Sequence, residues 1–119
     1  MARVLVVDGA NVVGSRPDGW WKDRAGAARR LHERLLVADL PYDEVVLVLE
    51  GAAKGGVPNG RDGHLRVVHA RGSGDDEIVT QATRPDDTIV VVTADRMLQS
   101  RVTSVGGSSL SPSWLLDQL

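Results

Sequence analysis

The chain has 119 residues, with 16 acidic against 14 basic side chains and a formal net charge of −2. That length fits one domain with a real core, and the balance of 42% hydrophobic and 25% charged residues is that of a globular rather than a disordered protein. The absence of cysteine excludes disulfides, thiolate metal sites and cysteine nucleophiles, and the apolar runs are too short to cross a bilayer.

Residues 1–20 lack the apolar stretch of a signal peptide. A single soluble, cytoplasmic domain over residues 1–119, with no membrane partner, is therefore expected. A net charge near zero does not mark a nucleic-acid binder, which is usually basic, so the distribution of charge matters more. Arg24, Arg29, Arg30 and Arg34 lie in one segment, and Lys54, Arg61, Arg66 and Arg71 surround the middle loops. Such residues beside an acidic cluster suit a polyanion held over bound cations. Taken singly, each also reads as part of a solvated face.

The first stretch, Arg3-Val4-Leu5-Val6-Val7-Asp8-Gly9, is a continuous apolar run closed by an acid and a glycine. It predicts a strand buried on both faces of a parallel sheet. Val12–Gly19 reads as a loop marked by Pro17-Asp18-Gly19. Trp20, Ala25, Ala28, Leu31, Leu35 and Ala38 recur at helical spacing and predict an amphipathic helix over 22–38. After the turn Pro41-Tyr42-Asp43 comes a second strand, 45–49, ending at Glu50-Gly51. Gly51–Gly63, with five glycines, predicts a mobile surface loop. Residues 65–70 predict a short third strand, and 74–83 a second helix with a capping-box-like Ser73 and Asp76 at its start. A fourth strand over 88–92, a helix over 95–102, a short edge strand at 108–110 and a docking helix opened by Pro112 complete the pattern. Strands alternating with helices imply an α/β fold with a parallel sheet and right-handed crossovers.

Ligands of such sheets sit beyond the carboxyl ends of the strands, where Asp8, Glu50 and Asp95 all emerge. Asp75 lies three and four residues before Ile78 and Val79 and shares the sheet-facing stripe of its helix. Asp76 lies nearer the rim of the same helix end. Carboxylates gathered in one crevice repel unless cations neutralise them, and oxygen-only donors favour Mg²⁺ or Mn²⁺ over zinc. Metal-assisted phosphodiester hydrolysis is the reaction class that follows.

Val-Asp8-Gly-Ala-Asn11-Val, Asp75-Asp76-Glu-Ile and Val-Val-Thr93-Ala-Asp95-Arg resemble the three acidic motifs of the NYN-domain branch of PIN-like ribonucleases, in order and in spacing. The similarity runs down to Trp114-Leu115-Leu116. It implies a PIN-like three-layer α/β/α sandwich with a central, mostly parallel sheet, and Mg²⁺- or Mn²⁺-dependent cleavage of RNA, single-stranded or structured. By position, Asp8, Asp76 and Asp95 would be metal ligands, with Asp75 a ligand or a supporting partner. Asn11 would orient Asp8 or touch substrate, and Thr93 would support Asp95. Glu50 stands where relatives often carry Asp-Gly. Arg24, Arg30 or Arg71 would steer the RNA backbone. Specificity is expected from the loops or from a partner, whether a second copy of the chain, the ribosome or another protein.

Each residue also has a plainer reading. Asp8 can be a turn residue, Asp75 and Asp76 first-turn acids, and Asp95 a helix cap. His32, His64 and His69 fall on different elements and read as incidental. One tryptophan of Trp20-Trp21 reads as a helix anchor, although such rings also stack on single-stranded RNA bases. Two other classes of function stay open: a catalytically silent RNA-binding or assembly module, and a phosphatase or nucleotide-binding α/β domain.

Overall fold

The computed structural model describes residues 1–119. Six strands, β1 (Arg3–Asp8), β2 (Glu44–Leu49), β3 (Gly60–Asp62), β4 (Leu65–His69), β5 (Thr88–Val92) and β6 (Ser108–Leu110), form one sheet in the order β3-β4-β2-β1-β5-β6. All neighbours are parallel except β3 and β4, which pair antiparallel. Five helices accompany them: α1 (Gly9–Gly14), α2 (Arg24–Val37), α3 (Gly74–Ala82), α4 (Arg96–Ser104) and α5 (Pro112–Gln118). The architecture is α/β with a mostly parallel sheet, as the alternation of elements predicts, and helices cover both faces in the three-layer arrangement that the resemblance implies.

Alternation along the strands divides the core in two. Val4, Val6, Val46, Val48, Ile89 and Val91 pack with Ile78 and Ala82 of α3 and Leu98 and Val102 of α4. Leu5, Val7, Val45, Leu47, Leu49 and Val92 pack on the other face with Val12, Ala28, Leu31, Leu35 and Leu115. Leu5, Leu35, Leu47 and Leu65 are fully buried, each worth ~1.5–3 kcal/mol relative to exposure. Period two then carries Asp8, Glu50 and Thr93, the residues at or just beyond the exits of β1, β2 and β5, onto the α3/α4 side.

Three expectations are corrected. The predicted loop after β1 begins with a helical turn, α1, because the Asp8 side chain caps it by accepting from the Asn11 amide at 3.3 Å. Its glycines and β-branched valines are poor helix formers, so the cap and tertiary packing outweigh propensity. Trp20 lies in a separate 3₁₀ turn, Trp20–Lys22. Asp23 then starts α2 by accepting from the Gly26 amide at 2.9 Å. The expected loop contains regular structure: Gly51–Gly56 is a 3₁₀ turn in which Gly56 backs onto the Ala25 backbone of α2, and Gly60–Asp62 is β3.

Candidate functional site

Strands run outward on both sides of the β1–β5 pair, β2 and β4 one way and β6 the other. The carboxyl edge at this reversal of strand order is where open α/β sheets bind ligands. Asp8 closes β1 there and is 6% exposed. Its Oδ2 accepts from Thr93 Oγ1 at 2.9 Å, and its Oδ1 accepts from the Asn11 amide. Thr93 is fully buried, and its Oγ1 also accepts from the Asp95 amide at 3.2 Å. One hydroxyl thus joins the exits of β1 and β5. Asn11 adds a second tie, since its Oδ1 accepts from the Ala94 amide at 2.9 Å. Its role is positional: it fixes α1 against the loop that carries Asp95.

α3 completes the mouth. Ser73 caps it through the Asp76 amide at 3.2 Å. Glu50 reaches across from the end of β2 to accept from the Gly74 amide at 2.9 Å. A Cβ on Gly74 would stand 3.1 Å from the Glu50 carboxyl carbon, so glycine is what lets this carboxylate close on the positive end of the helix. Asp75, half-buried, forms no hydrogen bond or ion pair within the chain. Asp95 caps α4, accepting from the Met97 and Leu98 amides at 2.9 and 3.1 Å.

The carboxylates feel one another. Burial raises the Asp8 pKa above its ordinary value; the Thr93 and Asn11 hydrogen bonds oppose this, and the charges of Asp75 and Glu50 add to it. Burial likewise raises Asp75, reinforced by the charges of Asp95 and Glu50, with Arg101 pulling the other way and Asp76 adding slightly. Asp8, Glu50, Asp75 and Asp95 therefore form one electrostatic unit. No three Asp, Glu or His side chains stand close enough to enclose a cation between them.

This geometry corrects the assignment within the Asp75-Asp76 pair. The ligand set Asp8, Asp76 and Asp95 inferred from the motifs is not assembled, because Asp76 is exposed and holds Arg101 of α4 at 2.9 Å. Asp75 is the one whose charge reaches Asp8, since rotation by one helical residue carries its neighbour around to the exposed rim. Thr93 supports Asp8 first and the Asp95 backbone second. Arg71 is exposed beside Ser73 and Asp76 in a shallow polar hollow on the outer side of α3. Arg101 is the residue that sequence reasoning misses. Nothing in α4 by itself distinguishes it, and only the packing of α3 on α4 brings it to the acids. The histidines are structural where they bond at all: His64 Nε2 meets the Leu35 carbonyl at 3.1 Å and His69 Nε2 the Val57 carbonyl at 2.7 Å.

No protein-family model matches the chain, and no curated protein sequence matches it. A crystal structure of a point mutant of Rae1 (YacP) from Bacillus subtilis does superpose on it. The TM-score is 0.74 over 97% of this chain and 73% of that one, with 20% of residues identical. At that identity the likeness establishes the fold.

Proposed function

We propose that the chain is an Mg²⁺- or Mn²⁺-dependent ribonuclease of the NYN branch of PIN-like enzymes, acting at the mouth between Asp8 and Asp75. One observation carries this reading: carboxylates from elements far apart in sequence share the mouth at the switch point. Burial and then the charges of Asp75 and Glu50 raise the Asp8 pKa, and burial and then the charges of Asp95 and Glu50 raise that of Asp75. Half-buried acids without a neutralising partner within the chain are disfavoured in a structural role and common at functional ones.

The donor set fits a hard divalent cation. Mg²⁺ is commonly held by one or two carboxylates, the remaining positions going to water and substrate phosphate, so an enclosing cage of three acids is not required. Asp8 and Asp75 would hold the ion, and Asp95 and Glu50 would add negative charge around it. When bound, the cation supplies phosphate polarisation and a more acidic water. The protein's own work is orientation. Thr93 holds Asp8 Oδ2 and favours its ionised form, and Glu50 fixes the start of the helix that presents Asp75. Asp76 anchors Arg101 at the rim, where a guanidinium suits an RNA phosphate.

Incubation of unstructured RNA with the protein and Mn²⁺, followed by gel analysis of fragments, tests the reading. Asp8→Asn and Asp75→Asn are expected to lower cleavage by about 100-fold or more, the upper end seen even for residues that only support metal ligands. Undiminished cleavage in both variants would rule out the proposed roles. The local engagement of Asp76, Glu50 and Asp95 favours a second reading, an RNA-binding module without catalysis. It predicts RNA binding that neither a chelator nor Asp8→Asn alters.

A further inference from the structure

Two hollows run in sequence from the acidic mouth along the outer face of α1 and α2. The first takes Glu50 and Gly9 from the mouth as one wall and Trp20 and Arg24 as the other. The Arg24 guanidinium lies over the Trp20 ring, 5.4 Å from its centroid. The second begins at Val13, which lines both, and is ringed by Arg16, Arg30 and Arg34 with a single acid, Asp18. None of these three arginines forms an ion pair. Four other arginines do take carboxylates: Arg61, Arg66 and Arg84 share Glu44, and Arg101 holds Asp76. Arg30 and Arg34 are also one helical turn apart, where like charges destabilise a helix. The hollow therefore gathers three positive charges against one carboxylate, Asp18, and none of the three is paired with it.

We propose that this track seats a single strand of RNA leading away from the acidic mouth, one unpaired base lying in the hollow of Trp20 and Arg24 and the following phosphates on Arg16, Arg30 and Arg34. It rests on the nuclease reading only for where the strand begins. A stacked aromatic and guanidinium offer a flat surface to any base, and guanidinium forks match phosphate oxygens in pairs. A duplex has no unpaired base to place in the first hollow.

Fluorescence anisotropy with a labelled, unstructured RNA of about 10 nucleotides, in the presence of a chelator so that the strand stays intact, tests the track. Arg30→Gln and Arg34→Gln are each expected to weaken binding several-fold. Each should also flatten the dependence of log affinity on log salt by about 0.7, the share of one single-strand phosphate. Arg61→Gln, the same loss of charge at the β3 end of the sheet, is expected to change neither. Arg24→Gln is expected to weaken the single strand while leaving an RNA duplex of the same sequence unaffected. Equal losses in Arg61→Gln, or unchanged salt slopes in both α2 variants, would overturn the track. Because the readout is binding, absence of cleavage with these results would end the nuclease reading and leave the track standing. Cleavage with unchanged binding would do the reverse.

Discussion

Asp75 is unusual at the level of single residues because it is half-buried and unpartnered among acids. Its raised pKa means that the ionised form is disfavoured by folding. Its contribution to stability is fully present below the ordinary value of 3.8 and is lost as the pH rises through the raised folded value. Asp75→Asn is therefore expected to stabilise the protein at pH 7 by no more than about 0.5–1 kcal/mol, because solvent screens so accessible a group. On the proposed reading it also lowers cleavage about 100-fold, the usual exchange at a strained functional site. Urea unfolding of the two proteins measures this, and the gap between them should shrink as the pH falls towards 3.8. A destabilised variant would mean that the carboxylate is structural. Thr93 works in the opposite sense, because its hydroxyl is the main hydrogen-bond donor to a buried carboxylate. Thr93→Val, nearly the same shape without the donor, is expected to cost about 1–3 kcal/mol and to reduce activity together with stability. Thr93→Ser should recover much of both.

Elements meet at two junctions that govern the site's geometry. At the first, α1 leaves β1 so tightly that a Cβ on Gly9 would lie 2.7 Å from the Val48 carbonyl oxygen and 2.9 Å from Leu49 Cδ2. Backbone cannot yield as a side chain does, so Gly9→Ala is expected to cost about 1–3 kcal/mol and to displace Asn11 from the Ala94 amide. Thermal unfolding and the Ala94 amide chemical shift report the two effects. At the second, away from the mouth, Glu44 at the start of β2 holds Arg61 of β3, Arg66 of β4 and Arg84 beyond α3. Burial alone would raise its pKa, but the Arg61 hydrogen bond and the charges of Arg84, Arg66 and Arg61 together lower it. Its stabilisation is present above the ordinary value of 4.5 and fades as the pH falls through the lower folded value. Glu44→Gln should cost about 1 kcal/mol at pH 7, screening by solvent considered, and nothing once both states are protonated. Elements were legible wherever their signal is local. Aliphatic runs place β1, β2 and β5, and Pro112 after Ser111 marks the start of α5. The turn of α1 was not, because its residues are weak helix formers and its cap is the same aspartate that reads as a candidate ligand.

Over the whole molecule, strand order brings acids 42 to 87 positions beyond Asp8 to its edge of the sheet, and this convergence makes a further prediction. Mn²⁺ binding only the folded state should raise the unfolding temperature, by an amount equivalent to about 2.7 kcal/mol at a hundredfold excess over its dissociation constant. Asp8→Asn should abolish that shift. An equal shift in the variant would place the ion elsewhere.

The amino-acid sequence by itself determined the α/β alternation, the strands and the residues at their exits. Continuous apolar runs and period-two alternation are properties of neighbouring residues, and so they survive without knowledge of the fold. Only the tertiary structure decided that the charge of Asp75 rather than Asp76 reaches Asp8, that Glu50 closes on α3, that Arg101 pairs with Asp76, and that Arg30 and Arg34 of α2 line one hollow with Arg16. Those facts depend on strand order and on the rotation of each helix about its axis. Both are set by how segments distant along the chain pack against one another.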